Sequence, residues 1–276
     1  MERFIFIGGD ARMRYAAEYL DKERECAAGN SCSIDPEAPF DAAVLPLPIK
    51  PDFDLSLLDG AVKRGGRVFA GGSFPALEEY CAAHELTLHN YLAREELQVL
   101  NAVPTAEGAL EILIRELDIT LWGSQTLITG FGRIGEVMAR MLAALGSHVT
   151  VCARRPEQLA KAEGMGCKTV FFSEELDRLL PRFDAVINTV PAVVLDEKRL
   201  LLVKKGCLIV DLASKPGTQT VGTAAGTRTV GTQTGAKIIH ALSLPGKTAP
   251  ITAGKIIGKT IENILREEEV NGGDKS

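Results

Sequence analysis

The chain has 276 residues, of which 46% are hydrophobic and 24% are charged. This composition is typical of a globular protein, and the length allows two domains of about 150 residues each. Its 31 basic and 36 acidic residues give a formal net charge of −5, whereas nucleic-acid and anionic-membrane binders normally carry a basic excess, so we expect neither as a partner.

Short apolar runs alternate with helical patterns over the first hundred residues, which is typical of α/β units. The first run, residues 4–7, predicts a strand and is too short for the apolar segment of an export signal. No stretch approaches the ~20 apolar residues of a transmembrane helix, and we expect a cytoplasmic protein. The predicted strands are 4–7, 42–45, 67–70 and 86–89, and the predicted helices are 12–20, 55–64 and 74–85.

Residues 101–108, with the sequence NAVPTAEG, mark the predicted domain boundary. Thr105 is a candidate helix N-cap, and the apolar positions after it predict a connector helix over 105–118. We therefore expect an N-terminal α/β domain over 1–104 that serves a substrate or a partner. We expect a dinucleotide-binding domain over 119–250. A C-terminal helix over 251–276 should then pack back on the first domain.

Six short apolar runs in the second domain predict a doubly wound parallel sheet. The fold class is therefore α/β, with two Rossmann-like domains. Residues 217–234, in which Gly-Thr-Gln-Thr occurs twice, are interpreted as a Gly/Thr-rich surface loop. The six predicted strands are 126–129, 148–152, 169–171, 185–189, 208–210 and 237–241.

A glycine fingerprint, GFGRIG at 130–135, stands between the first of these strands and an amphipathic helix. The first glycine allows a tight turn, the second lets the backbone approach a pyrophosphate, and the third permits close packing of helix on strand. The N–H groups at the start of the helix face the anion. This pattern predicts a dinucleotide site that contains Gly130, Phe131, Gly132, Arg133, Ile134 and Gly135.

The end of the second strand indicates which dinucleotide binds. An NAD site usually places an acidic residue there for the ribose 2′-hydroxyl, but this chain has Arg154 and Arg155 and no acid between 147 and 156. Guanidinium groups pair with a 2′-phosphate, whereas a carboxylate would repel it. We therefore predict NADP as the cofactor, the alternative being two solvated arginines before a helix.

The loops after strands four to six should face the nicotinamide. They add Asn188, Thr189, Val190, Pro191, Asp211 and Ala213 to the predicted cofactor site. They also carry Lys215 and Lys247, cations that an anionic substrate would need. Each lysine alone is more readily interpreted as a solvated surface residue, and it is their shared position at strand ends that makes them candidates.

Further candidates lie in the first domain, at the boundary and at the end of the last strand. Glu107 is a candidate base, or an ordinary acid in the first turn of a helix. His240 closes the sixth strand and is a candidate acid/base or a structural histidine. The predicted catalytic residues are thus Lys247, Glu107 and His240, and the predicted substrate contacts are Lys215, Arg12, Arg94, Asn101 and Thr105.

The spacing of the cysteines and histidines gives no indication of a metal site, and we expect none. The six cysteines form no Cys-x-x-Cys pair, and the four histidines are not at metal-ligand spacing. We expect reduced thiols.

The chain resembles the family of dipicolinate synthase A subunits over nearly its whole length. The matching segments are IFIGGDAR at 5–12, LPLPI at 45–49, YLAREELQVLNAVPTAEGAL at 91–110, GFGRIG at 130–135, INTVP at 187–191, DLASKPG at 211–217, LPGKTAP at 244–250 and TAG at 252–254. The Gly/Thr-rich stretch over 218–234 departs from the family, in which a short ordinary helix is expected.

The resemblance implies NADP-dependent oxidation of a dihydrodipicolinate-type ring, or of its hydroxylated precursor, to the aromatic diacid. It also implies that the partner is a flavoprotein-like B subunit and that the location is the mother cell of a sporulating bacterium; a homo-oligomer is also compatible with it. Two alternatives stay open. One is an NADP-linked dehydrogenase of the 2-hydroxyacid type, although Ser214 and Lys215 stand where such enzymes carry an arginine. The other is a non-catalytic nucleotide-binding subunit.

Overall fold

The computed structural model describes residues 1–22, 24–28, 38–215, 217–218, 228–231 and 235–273. The chain divides into two compact units. Unit 1 comprises Met1–Asn101 and Pro245–Ser276, and unit 2 comprises Ala102–Leu244. The α/β class with parallel sheets that the sequence predicts is present in both units.

Unit 1 is built on a parallel sheet of five strands in the order β2-β1-β3-β4-β5. Alternate residues of β1 face opposite sides, so that Phe4 and Phe6 pack beneath α1 and α9 while Ile5 packs on the α2 side. The elements of this unit are β1 (Arg3–Phe6), α1 (Ala11–Leu20), β2 (Glu25–Ala28), β3 (Phe40–Val44), β4 (Val62–Ala70), α2 (Pro75–Ala83), β5 (Thr87–Asn90), and, from the chain's end, α9 (Pro250–Gly273).

The long C-terminal helix α9 packs against α1 within this unit, as the sequence predicts for the last helix. Glycines make this close approach possible: a Cβ on Gly254 would lie 2.6 Å from the carbonyl oxygen of Arg12, and one on Gly258 would lie 2.7 Å from the ring of Tyr19. The helix spans Pro250–Gly273, against a prediction of 251–276.

Unit 2 is a seven-stranded sheet in the order β11-β12-β10-β9-β6-β7-β8. Its carboxyl edge carries the glycine turn and the polar strand ends described below. The elements are β6 (Gln125–Thr129), α4 (Arg133–Ala144), β7 (His148–Cys152), α5 (Pro156–Gly164), β8 (Lys168–Val170), α6 (Glu174–Leu179), β9 (Ala185–Asn188), α7 (Glu197–Leu200), β10 (Leu208–Asp211), β11 (Arg228–Gly231) and β12 (Lys237–His240), followed by α8 (Leu244–Thr248).

The start predicted for the connector helix over 105–118 is wrong. The helix α3 spans Glu95–Glu116 and contains Pro104 in its interior. A proline usually ends a helix because it lacks an N–H and clashes with the preceding turn. Here Ala106, Ala109 and Leu113 are fully buried in the core of unit 2, and this packing holds the helix together across the proline.

Two more predictions on secondary structure are wrong. Residues 55–64 form only a 3₁₀ turn at Leu55–Leu58, and β4 begins at Val62. The Gly/Thr-rich segment is not wholly a surface loop: Arg228–Gly231 is strand β11, antiparallel to β12, and Thr218 is 2% exposed. Residues 219–227 and 232–234 of this segment lie outside the described residues.

Four cysteines, Cys81, Cys152, Cys167 and Cys207, are buried and unpaired, and Cys26 is unpaired and half-buried. Burial raises the pKa of the Cys207 thiol to about 12 and that of Cys152 likewise to about 12. These thiols therefore stay protonated at neutral pH. Cys32 lies outside the described residues.

Candidate functional site

The glycine turn after β6 has the geometry that a dinucleotide pyrophosphate needs. Gly130 has φ +88°, a conformation that side chains rarely adopt, and its N–H donates to the carbonyl of Cys152 at 2.8 Å. A Cβ on Gly135 would overlap the carbonyl oxygen of Gly130, so the third glycine permits close packing of α4 on the strand. A Cβ on Gly132 would meet no atom of the described residues within 4 Å, so this backbone borders open space.

The start of α4 offers N–H groups to an anion. Its N-cap is Gly132, which has no side chain to satisfy the first N–H groups of the helix. Those N–H groups and the helix dipole favour a negative charge at this point. The turn is also held from α5, because the Gln158 side-chain amide donates to the carbonyl of Phe131 at 2.9 Å. The residues present therefore fit a nicotinamide dinucleotide.

Arg154 and Arg155 follow β7, the neighbour of β6 in the sheet. Both are exposed, and Arg155 lies 3.3 Å from Glu157 in an ion pair whose side chains are 66% and 65% exposed. A surface pair of this kind contributes little and is easily broken. The two guanidinium groups thus remain available beside the turn.

A row of four polar side chains crosses the carboxyl edge of the sheet. The residues are cross-strand partners on adjacent parallel strands: Thr129 on β6 pairs with Asn188 on β9, Asn188 with Asp211 on β10, and Asp211 with His240 on β12. The hydroxyl of Thr129 donates to Asn188 Oδ1 at 2.7 Å, and the Asn188 amide donates to Asp211 Oδ1 at 2.8 Å. The row starts beside the glycine turn and ends at a histidine whose side chain is 15% exposed.

Asp211 is the centre of this row and also holds the loop that follows β10. The carboxylate is 1% exposed. Its Oδ2 accepts the backbone N–H groups of Gly217 and Thr218 at 2.8 and 3.0 Å and the Thr218 hydroxyl at 2.9 Å. Its Oδ1 accepts the N–H of Ala213 at 3.2 Å. The buried charge is therefore compensated by several donors, which fold the loop back on its own strand.

The predicted cofactor residues after β9 and β10 use their polar side chains within the protein. The buried side chains of Asn188 and Asp211 bind protein groups, and Thr189 donates its hydroxyl to the carbonyl of Thr129 at 2.9 Å. They shape the edge on which a nicotinamide would rest, while Val190 and Pro191 lie in the adjoining loop. Direct contact of any of them with a cofactor stays a prediction. Lys215 is exposed on the loop that Asp211 holds.

Arg12, a predicted substrate contact, is used inside unit 1. Its guanidinium donates to both carboxylate oxygens of Asp10 at 2.9 and 3.0 Å and to the carbonyl of Leu47 at 2.5 Å, and its side chain is 6% exposed. Burial raises the pKa of Asp10, but hydrogen bonds from Arg12 outweigh burial and hold it below its usual range. Arg12 thus ties the loop after β3 to the start of α1, and its contact with substrate stays a prediction.

Arg94 is also paired within unit 1. It binds Glu267 of α9 at 2.8 and 2.5 Å and Glu96 at 2.8 Å, and these hydrogen bonds raise the pKa of the guanidinium. The arginine therefore anchors the end of α9, and nothing in these contacts reserves it for a ligand.

Three candidates lie on α3, and the structure removes part of the argument for two of them, Thr105 and Glu107. Thr105 is buried in the helix interior, so no helix N-terminus with unsatisfied N–H groups exists there. Glu107 is exposed and lies well inside the helix, so it is not the first-turn acid that the sequence suggested. Asn101 lies on the same helix.

Lys247 is placed differently from the prediction. The segment after β12 was expected to be a loop of the dinucleotide domain, but it forms α8 (Leu244–Thr248), and unit 1 begins again at Pro245. A Cβ on Gly246 would lie 2.9 Å from both Asp10 Oδ2 and Arg12 Nε. Lys247 is therefore an exposed cation that follows Gly246, the residue next to the Asp10–Arg12 pair.

The polar row is the feature that sequence reasoning missed. The signal was present, because each of four strands ends in a polar residue: Thr129, Asn188, Asp211 and His240. Their alignment depends on the register of strands that are distant in sequence, so the pattern could be recognised only after the strand order was known.

Comparison with known proteins agrees with this geometry. Residues 109–215 match the family model described as "D-isomer specific 2-hydroxyacid dehydrogenase, NAD binding domain". Together with the glycine turn and the parallel sheet, this match defines an oxidoreductase of the dehydrogenase type that binds a nicotinamide dinucleotide.

Whole-chain comparisons are more specific. The chain is 34% identical over 206 residues to the A subunit of dipicolinate synthase from Bacillus subtilis (strain 168), and the match covers 75% of this chain and 67% of the relative. The chain belongs to the family of dipicolinate synthase A subunits.

Two solved structures of dipicolinate synthase A subunits are similar to this chain throughout. That from Bacillus halodurans has a TM-score of 0.80 at 25% identity, and the match covers 96% of this chain and 97% of the other. That from Bacillus subtilis has a TM-score of 0.80 at 28% identity and covers 98% and 97%. The fold described above is therefore the fold of this family.

Two kinds of feature are absent from the described part of the chain. Within it, no group of three or more histidine, cysteine, aspartate or glutamate side chains is placed to hold a metal ion. Among the described residues, no helix is long and apolar enough to cross a membrane.

Proposed function

We propose that this chain is the NADP-dependent subunit of a dipicolinate synthase and oxidises a dihydrodipicolinate-type ring, or its hydroxylated precursor, to dipicolinate during spore formation. The observation that carries the proposal is the 34% identity to the A subunit of a dipicolinate synthase over three quarters of the chain. The mother cell of a sporulating bacterium is the proposed location.

The geometry supports this chemistry. Aromatisation of the ring requires removal of a hydride and of a proton. The glycine turn and the start of α4 would hold the pyrophosphate of a dinucleotide, which supplies the hydride acceptor when it is bound. The same carboxyl edge carries Lys215 on an anchored loop and His240 at the end of the polar row, a cation and a titratable group of the kinds that a dicarboxylate substrate and a proton transfer need.

The cofactor preference is tested by binding. Because Arg154 and Arg155 follow β7 in place of an acidic residue, we expect NADP⁺ to bind at least about tenfold more tightly than NAD⁺, since one charge-assisted hydrogen bond to a phosphate contributes roughly 1.5–3 kcal/mol. Calorimetric titration of both nucleotides measures this ratio.

Two variants show where the preference comes from. Replacing Arg154 and Arg155 by alanine should bring the two affinities together and leave NAD⁺ binding unchanged. Arg140→Ala, which removes an exposed arginine from α4, is the matched control and should keep the preference. Equal or tighter binding of NAD⁺ to the unaltered chain would contradict the proposed NADP specificity.

We further propose that the active enzyme is a hetero-oligomer with a flavoprotein-like second subunit. The support is the family to which the chain belongs. We expect dipicolinate to form from the cyclic precursor and NADP⁺ only when both subunits are present, measured by the ultraviolet absorbance of dipicolinate and by NADPH formation. Full activity of the purified single chain would refute the requirement for a partner. No turnover with both subunits present would refute the proposed reaction itself.

A further inference from the structure

The loops that follow β9 and β10 in unit 2 are joined to each other through Gly217. Its N–H donates to Asp211 Oδ2 at 2.8 Å, and its carbonyl oxygen accepts the N–H groups of Val194 and Leu195 at 2.9 and 3.1 Å. Thr218 extends this contact, because it forms a parallel β-bridge with Leu195. One residue of the second loop thus binds both the end of its own strand and the first loop.

Asn188, the last residue of β9, connects both loops to the sheet. Its side-chain amide donates to Asp211 Oδ1 at 2.8 Å and to the carbonyl of Val190, in the loop after β9, at 3.1 Å. A single amide nitrogen therefore holds each loop close to the strand from which it starts. The loop junction is defined here as the side chains of Asn188 and Asp211, Gly217, Thr218 and the backbone of 194–195.

The loop junction leaves no room for a side chain at Gly217. A Cβ there would overlap the amide nitrogen of Asn188 and lie 2.7 Å from the carbonyl oxygen of Val190. Thr218 is 2% exposed, and its hydroxyl also donates to Asp211 Oδ2 at 2.9 Å. The two loops can therefore approach each other this closely only with glycine at position 217.

The order of the strands places the loop junction on one side of the expected cofactor. The chain runs from β6 outward to β7 and β8, and then crosses to β9, β10 and β12 on the other side of β6. In such sheets a dinucleotide lies across the carboxyl edge at this point of reversal. Arg154 and Arg155 follow β7, where the adenosine 2′-phosphate would bind. The nicotinamide half would then lie over the loops after β9 and β10.

We propose that Asp211 and Gly217 are positioning residues, which hold the loops after β9 and β10 as one preformed wall for the nicotinamide half of the dinucleotide. This inference rests on the proposed function. A wall that is already ordered spares the cofactor the entropic cost of ordering two loops when it binds. Because the adenosine half lies on the other side of β6, loosening the loop junction should weaken binding of the whole dinucleotide but not of its adenosine half.

The test compares two ligands by calorimetric titration of the full chain. They are NADP⁺ and adenosine 2′,5′-bisphosphate, which lacks the nicotinamide half. In Gly217→Ala we expect the Kd for NADP⁺ to rise at least about 30-fold, which corresponds to about 2 kcal/mol. The Kd for the bisphosphate should stay within about threefold. Thr218→Val removes one donor to Asp211, and we expect the same pattern with a rise of at least about fivefold.

Gly146→Ala is the control for a loss of stability that leaves the loop junction intact. Gly146 has φ +80°, and a Cβ there would overlap the ring of Trp122, so the variant should lower the melting temperature. Gly146 follows α4, at the end of that helix away from the glycine turn. Both ligands should therefore bind to Gly146→Ala as they bind to the unaltered chain.

The outcomes separate three cases. If Gly217→Ala weakens both ligands to the same degree, or leaves the Kd for NADP⁺ within about threefold, the inference is wrong and the proposed function stands. If Gly217→Ala does not fold, Thr218→Val decides: an unchanged ratio of the two Kd values overturns the inference. If the unaltered chain does not bind NADP⁺, the proposed function fails, and the inference fails with it.

Discussion

Replacing Gly132 by valine is expected to weaken NADP⁺ binding by at least about 100-fold while the protein keeps its melting temperature. The backbone of Gly132 has φ −95° and ψ −162°, an extended conformation that valine adopts readily. A Cβ at this position meets no described atom within 4 Å, so the folded protein has room for the side chain. The same space is where a pyrophosphate would approach the start of α4, and valine would occupy it. A 100-fold loss corresponds to about 2.7 kcal/mol.

Two other glycines provide the controls. A Cβ on Gly164, at the end of α5, would likewise meet no described atom within 4 Å, and Gly164→Val should change neither binding nor stability. Gly135→Val should destabilise the protein, because its Cβ would overlap the carbonyl oxygen of Gly130. Calorimetry and thermal unfolding of the three variants distinguish a binding role from a packing role. Unchanged NADP⁺ affinity in Gly132→Val would mean that the fingerprint is only a packing turn.

Lys247→Ala is expected to lower kcat/KM about 30-fold or more, again at unchanged NADP⁺ affinity. Each carboxylate of a dicarboxylate substrate needs a cation or several N–H donors, and a carboxylate left without its partner costs on the order of 2–4 kcal/mol. Lys247 is an exposed cation on α8, and its neighbour Gly246 abuts the pair of Asp10 and Arg12.

Steady-state kinetics with varied substrate measure the effect. Lys247→Arg should retain much of the activity because it keeps the charge, although its geometry differs. Lys255→Ala, which removes an exposed lysine from α9 in the same unit, should behave like the unaltered enzyme. If kcat/KM of Lys247→Ala stays within about threefold of that of the unaltered enzyme, Lys247 is merely a solvated lysine, and Lys215 becomes the next candidate.

The elements whose pattern is local were predictable. The six parallel strands of unit 2 were predicted to within a few residues because they are short, mostly apolar runs. The clearest case is β9, whose four residues are all buried. The glycine turn was predictable because its requirements are local: a positive φ at Gly130 and contact between Gly135 and Gly130 lie within six residues.

Elements whose conformation depends on distant partners were not predictable. The helix α3 continues through Pro104 because residues such as Ala106 and Leu113 pack into the core of unit 2. Strand β11 lies in a segment without an apolar pattern and owes its conformation to backbone pairing with β12. In both cases tertiary contacts outweighed the local preference.

The sequence by itself determined the class of the protein, because a glycine fingerprint between strand and helix, two arginines after the next strand and the family's segments all depend on neighbours in the chain. Tertiary structure alone decided which polar groups meet. Thr129 and His240 are over a hundred residues apart, and only the register of four parallel strands brings them, with Asn188 and Asp211, into one row. It also placed Lys247 in unit 1, because the chain returns to that unit at Pro245, before the predicted boundary at residue 250.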